Sequence, residues 1–150
     1  MLEFKEKYNV NPKGKKTGDC VVRAIAYASN RSWEEVFTEL NKISVKVYSM
    51  PNEKNVYEKY LADLGFSKMP QPKKSNGTKY LVGEIDKLID TNKYDVVISM
   101  ANHLTCADSN NLIDIWDCRK KTIGNYYTRR KEDKPKLPNN SKDKAVRYYI

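Results

Sequence analysis

The feature that most constrains the fold is a ten-residue segment, residues 20–29, that is apolar on almost every side. It reads CVVRAIAYAS, and at helical spacing its Val, Ala and Ile side chains cover nearly the whole circumference. A helix that is apolar all round has to be buried. We therefore predict a central helix from Cys20 to Ser29, with Asp19 as its N-cap, around which the rest of the chain packs.

Three further helices are predicted after the central helix, and segments that favour loops separate them. Ser32 opens the capping-box sequence SWEE ahead of a helix over about residues 33–43. A third helix covers about residues 52–64 and ends before Gly65. Thr78 is the predicted cap of a fourth helix that carries Leu and Ile at helical spacing.

Beyond residue 94 the pattern changes from helical to strand-like. The segments DVVISMA, HLTCA and LIDIWD predict strands, and the turn cluster DSNN predicts a hairpin between the last two. KTIGNYY and the final AVRYYI are further strand candidates, separated by a charged connector that we expect to be flexible. The predicted fold class is α+β, with N-terminal helices packed on a C-terminal antiparallel sheet.

The length of 150 residues predicts one folding unit. No run of 18 apolar residues is present, so we expect no membrane span. The first ten residues contain no apolar signal region, and the three cysteines are sparse and odd in number. These features favour the cytoplasm.

Positive charge is concentrated at the C-terminal end. Residues 119–150 contain 11 of the 28 Lys and Arg residues but only 3 of the 19 Asp and Glu residues. We interpret residues 1–127 as the domain and residues 128–150 as a basic extension that is either a solvated tail or a contact for an acidic protein or a nucleic acid. The candidate partner-binding residues are Arg119, Lys120, Lys121, Arg129, Arg130 and Lys131.

Cys20 stands at the head of the central helix, where a thiol can become reactive. A helix N-terminus carries partial positive charge, which favours the thiolate, and its backbone N–H groups can stabilise an oxyanion. Gly18 lets the chain turn and leaves room for a substrate. The alternative is that Cys20 is a small apolar residue of the core.

A reactive thiolate needs a base, and His103 is the only histidine. A hairpin that turns about Asn110 places His103 opposite Asp117, where a carboxylate can orient the imidazole ring. A shift of one residue in the register reverses this choice and makes Asp114 the candidate.

The segments GDCVVRAIAYASN and NHLTCADSNNLIDIWDC resemble the papain-like cysteine peptidase superfamily, most closely its small members from bacteria and phages. The resemblance spans about residues 9–127. It implies a papain-like fold, the cytoplasm of a bacterial host, and a thiol-dependent hydrolase or acyltransferase that acts on a host or phage protein. The implied roles are Cys20 as nucleophile, His103 as base and Asp117 as orienting acid. Such enzymes carry a Gln or Asn before the cysteine for the oxyanion; Asn11 is the nearest candidate, and Asn9 is another. No cofactor is expected.

Two other functions compete with hydrolysis. Cys20, His103, Cys106 and Cys118 are potential zinc ligands, but HLTC in a strand directs His103 and Cys106 to opposite faces, so we expect no metal. The second is a non-catalytic interaction protein on the same scaffold, which binds a host protein or nucleic acid through the basic stretch and counteracts host defence.

Overall fold

The structure, a computed structural model, describes residues 1–133 and contains three α-helices followed by a five-stranded sheet. The helices are α1 Cys20–Ser29, α2 Trp33–Val47 and α3 Lys54–Asp63. The strands are β1 Ser67–Met69, β2 Tyr94–Met100, β3 His103–Asp108, β4 Asn111–Ile113 and β5 Tyr126–Arg130. The predicted connector beyond Asp133 and the predicted strand AVRYYI lie outside the described residues.

All neighbouring strands of the sheet are antiparallel, and their order is β1-β5-β2-β3-β4. The helix α1 packs against β2 and β3, and α2 and α3 pack against each other. The prediction of an α+β fold with helices on an antiparallel sheet is therefore confirmed.

The central helix has the bounds that its apolar pattern predicts. Ile25 and Ala26 are fully enclosed in the core between the helices and one face of the sheet. The helix ends where Asn30 adopts a left-handed conformation with φ 59°, which suits a short polar side chain. A second cluster, which includes Val96 and Leu112, fills the opposite face of the sheet. The sheet is thus covered on both sides.

Several predicted elements differ in detail from the structure. The fourth helix is a short 3₁₀ helix, Val82–Lys87, and Thr78 does not cap it, because the N-cap position is Leu81. The segment LIDIWD forms a strand only as far as Ile113, and the strand β1 was not predicted.

The strand β5 runs through the domain boundary predicted between residues 127 and 128. Thr128 and Arg129 are buried, and β5 lies between β1 and β2 inside the sheet. Arg129 is accommodated there because it pairs with Asp95 on β2. The folded unit therefore extends at least to Arg130, and the basic stretch does not begin as a separate segment at residue 128.

Within residues 1–133, no helix combines the length and the apolar character that a bilayer crossing requires.

Candidate active site

The first turn of α1 places Cys20 at the edge of the core. The thiol is half-buried and belongs to the apolar cluster between the helices and the sheet. At a helix N-terminus the first backbone N–H groups have no partner within the helix, so they create a positive field at this position. Asp19 stands at the N-cap, but its side chain does not cap the helix.

His103 is the first residue of β3 and follows a tight turn from β2. Its ring Nε2 lies 2.7 Å from Oδ2 of Asp114, and the ring packs edge-to-face on Trp116 with centroids 4.9 Å apart. The Cys20 thiol interacts electrostatically with the His103 ring, and both residues line one cleft. Because Nε2 faces Asp114, Nδ1 is the ring nitrogen left to face the thiol. The thiol, the imidazole and the carboxylate therefore form one interacting series.

The electrostatics of this trio favour a thiolate–imidazolium pair. Burial alone would raise the pKa of the Cys20 thiol, but the hydrogen bonds from His103 and from the Leu104 backbone, together with nearby positive charge, lower it. Burial likewise opposes the charged form of His103, yet the hydrogen bonds to Asp114, Cys118 and Cys20 raise its pKa to about 11. The two directions agree, since each charge stabilises the other.

The acid beside His103 is Asp114 and not Asp117, which corrects the predicted register. The turn between β3 and β4 has two residues, Ser109 and Asn110, with φ 50° and 63°, and Asp108 pairs with Asn111. Its centre lies between two residues instead of on Asn110, so every pairing shifts by one. Asp114 is buried.

Asp117 lies at the surface and has a different partner. Its carboxylate accepts hydrogen bonds from the guanidinium of Arg119, with both N–O distances at 2.8 Å, and this pairing lowers its pKa. The side chain of Asp117 is 41% exposed. The partner of the Asp117 carboxylate is therefore Arg119 and not the imidazole of His103.

Substitution of the two acids distinguishes these roles. In an Asp114→Asn variant the negative charge beside His103 is lost, so the pKa of His103 should fall and that of Cys20 should rise. We expect the midpoint of Cys20 alkylation by iodoacetamide, followed against pH by mass spectrometry, to increase by about one pH unit or more. Asp117→Asn is the matched control and should leave the midpoint unchanged. An equal shift in both variants would contradict the assignment of Asp114.

Asn11, the predicted oxyanion residue, is directed away from the cleft. Its amide donates to Oδ2 of Asp19 at 3.1 Å, and its oxygen accepts from the backbone N–H groups of Lys13 and Lys15. All of its polar atoms are thus used to shape the loop before α1. The backbone N–H of Cys20, at the head of α1, is the remaining sequence-predicted donor for an oxyanion.

A cleft of about 360 Å³ opens beside Cys20 and His103. Its other walls include Tyr57, Ser99 and Asn102, which sequence reasoning missed because they belong to no recognisable motif. An apolar groove of about 450 Å³ adjoins it and shares Val21 and Asn52 with it; the groove is also lined by Gly18, Trp33, Phe37, Met50 and Pro51.

Gly18, which has no side chain, lies in the wall of the apolar groove. A Cβ atom added there would meet no atom within 4 Å, and the backbone does not require positive φ. Gly18 thus leaves space at the head of α1, as predicted, but the turn itself does not depend on glycine.

The potential zinc ligands do not come together as a set of four. Cys106 is fully buried, and its thiol donates to the carbonyl of Ile113. Within residues 1–133, His103, Asp114 and Cys118 offer ligand atoms within 4.8 Å of one another. However, Nε2 of His103 and Oδ2 of Asp114 are at hydrogen-bonding distance, and Arg23 already neutralises the other oxygen of Asp114. A dication there would face the buried guanidinium, which disfavours a metal site.

Most of the predicted partner-binding residues have internal partners. Arg129 is buried against Asp95, Arg119 pairs with Asp117, Arg130 pairs with Glu132, and Lys131 pairs with Asp108. Lys120 and Lys121 are exposed, and the ammonium group of Lys121 lies 5.8 Å from the centroid of the Trp116 ring. Among the described residues, Arg129 is therefore the one member of this set that burial removes from the surface.

No protein-family model, curated protein or solved structure matches this chain.

Proposed function

We propose that the protein is a thiol-dependent hydrolase of amide bonds in a peptide or protein, with Cys20 as nucleophile, His103 as acid and base, and Asp114 as orienting acid. The observation that carries the proposal is the interacting series from the Cys20 thiol, at the head of a helix, through the His103 ring to the buried Asp114 carboxylate. A nucleophile, a base and an orienting group in this order are the parts that acyl transfer requires.

In the first step, Sγ of the Cys20 thiolate attacks the carbonyl carbon of the substrate and the carbonyl π electrons move to oxygen. The backbone N–H of Cys20 stabilises this oxyanion. The C–N bond then breaks as the protonated Nδ1 of His103 gives its proton to the leaving nitrogen. The products of this step are a free amine and a thioester on Cys20, and His103 is neutral.

In the second step, water attacks the thioester. Neutral His103 takes a proton from the water at Nδ1, and the C–S bond breaks to release a carboxylic acid and the Cys20 thiolate. Asp114, through its 2.7 Å hydrogen bond to Nε2, fixes the ring orientation and stabilises the imidazolium. The initial thiolate–imidazolium pair is thus restored.

The arrangement of layers supports a papain-like scaffold for this chemistry. Cys20 belongs to the helical layer, whereas His103 and Asp114 come from the sheet and the segment that follows β4. The cleft beside Cys20 and the apolar groove meet at Val21 and Asn52. We propose that an extended substrate crosses the head of α1 over Gly18, where a Cβ atom would meet nothing.

An activated ester tests this function without knowledge of the natural substrate. With p-nitrophenyl acetate we expect a burst of p-nitrophenol, an acetyl group on Cys20 detected by mass spectrometry, and slower continued turnover as water releases it. Cys106 and Cys118 in the same chain are the internal controls and should stay unmodified, because both are buried. Cys20→Ser should abolish the burst.

Two outcomes would contradict the proposal. One is acetylation of Cys20 no faster than that of the buried thiols, which would mean that Cys20 is simply a small apolar residue of the core. The other is stable acetylation without turnover or transfer to an added amine, which would exclude both hydrolysis and acyl transfer for this ester. In either case the exposed Lys121 beside Trp116 becomes the starting point for a search for binding partners.

A further inference from the structure

Arg23 is a buried cation whose two ends contact different elements. Its Nε donates to Oδ1 of Asp19 at 2.8 Å, and its NH1 donates to Oδ1 of Asp114 at 3.1 Å. The side chain of Arg23 is 9% exposed, and those of Asp19 and Asp114 are 5% and 2% exposed. Burial of a charged group is costly unless it is paired and hydrogen-bonded, so the stability of the fold depends on both carboxylate partners of Arg23.

The two carboxylates have separate positions relative to the candidate triad. Asp19 immediately precedes Cys20 and is held by the indole N–H of Trp33 at 2.9 Å. Asp114 uses its second oxygen, Oδ2, for His103. A single guanidinium therefore joins the residue before the nucleophile to the acid behind the base, although 91 positions separate Arg23 from Asp114.

We propose that Arg23 is a positioning residue that sets the spacing between the head of α1 and the His103–Asp114 pair. The inference rests on the proposed function, since it assigns a role relative to Cys20 and His103. The planar guanidinium fork presents donors in fixed directions and can serve two carboxylates at once. A lysine retains the charge but cannot hold both carboxylates in the same geometry.

The titratable groups around this bridge come from several elements. Tyr8 and Tyr27 line a small cavity together with Arg23 and Asp114. The others are Asp19 and Cys20 at the head of α1, Tyr57 of α3, His103 of β3, and Cys118 after β4. Arg23 also contributes positive charge near Cys20 and Asp114. A test therefore has to separate the charge of Arg23 from its bridging geometry.

The decisive variant is Arg23→Lys, assayed by the pH dependence of Cys20 alkylation with iodoacetamide. If the bridge sets the spacing, the Cys20–His103 contact loosens and the alkylation midpoint rises by about one pH unit, although the charge is kept. Arg129→Lys is the matched control, because Arg129 is a similarly buried arginine paired with Asp95 away from the cleft. Its midpoint should equal that of the wild type.

Asp19→Asn is a second test, in which loss of the bridge and loss of a charge shift the alkylation midpoint in opposite directions. Removal of a negative charge next to Cys20 would by itself lower the midpoint, whereas a weakened bridge raises it. This variant decides the question if Arg23→Lys does not fold, which circular dichroism would reveal.

Three results would overturn the role of Arg23. These are an unchanged midpoint in Arg23→Lys, an equal rise in Arg129→Lys, or a rate that changes by the same factor at every pH. A wild-type midpoint near 8.5, the ordinary value for a thiol, would instead contradict the proposed function itself. The two failures are therefore distinguishable.

Discussion

A His103→Ala variant is expected to show a Cys20 alkylation profile that crosses that of the wild type. Without the imidazolium, the main group that lowers the thiol pKa is lost, so the midpoint should rise toward about 8.5. At pH 5 the rate should fall by roughly tenfold or more, because so little thiolate remains. Above pH 9 the variant should react faster than the wild type, since a more basic thiolate is a better nucleophile.

Crossing of the two profiles is the informative part of this result. A general loss of structure or a change in access would shift the rate in one direction at all pH values. In the wild type the thiol pKa of Cys20 is lowered, so the thiolate is already present at pH values below the ordinary pKa of a cysteine. The alkylation rate of the wild type therefore falls only when the pH drops through this lowered pKa. Iodoacetamide kinetics between pH 4 and 10 with mass-spectrometric assignment of each cysteine measure this directly. Parallel profiles would contradict the thiolate–imidazolium pair.

An Asp95→Ala variant is expected to lower the free energy of unfolding by about 3–5 kcal/mol, because it leaves a buried guanidinium without its counter-charge. Arg129 is 4% exposed and Asp95 is 5% exposed. Two nitrogens of Arg129 lie 3.2 and 3.3 Å from one carboxylate oxygen of Asp95. After the substitution, the Arg129 guanidinium would keep its hydrogen bond to the carbonyl of Leu64 and its contact with the ring of Phe66, and neither group carries a negative charge.

Urea denaturation followed by circular dichroism measures this change, and Asp117→Ala is the control. Asp117 also pairs with an arginine, but at the surface, where water replaces a lost partner. We therefore expect a far smaller effect from the control. A loss below about 1 kcal/mol in Asp95→Ala would mean that Arg129 reaches solvent, and would reopen its role as a partner-binding residue.

The central helix was predictable because its signal is local. Ten consecutive positions with apolar side chains on almost every side specify both its bounds and its burial, and α1 runs from Cys20 to Ser29 as expected. The approach of Cys20 and His103 was instead expected from the resemblance of their two segments to papain-like peptidases, because no local pattern reports a contact between residues so far apart in the chain.

Which acid lies beside His103 was not predictable, because it depends on the geometry of one turn. The sequence DSNN indicates a turn but not whether its centre lies on a residue or between two. Ser109 and Asn110 both adopt positive φ, and this makes the turn two residues long. The resulting shift of one position selects Asp114 over Asp117.

Pairings between particular side chains account for the other differences. Asn11 is held by Asp19, and Arg129 is neutralised by Asp95, which is 34 positions away in the chain. In the sequence both side chains look available, one for an oxyanion and the other for a partner. No periodicity reports such pairings, because the first depends on the path of the loop before α1 and the second on which strands become neighbours.

The place of β5 in the sheet has a consequence for the order in which the protein assembles during synthesis. The pair β2 and β3, on which α1 packs, is complete by Asp108, but β5 enters the sheet between β1 and β2. The strands Ser67–Met69 and Tyr94–Met100 are joined only through residues that the ribosome adds last among the described ones. Such distant pairings form late in folding. A nascent chain therefore carries Cys20 and His103 before the strand that completes the sheet.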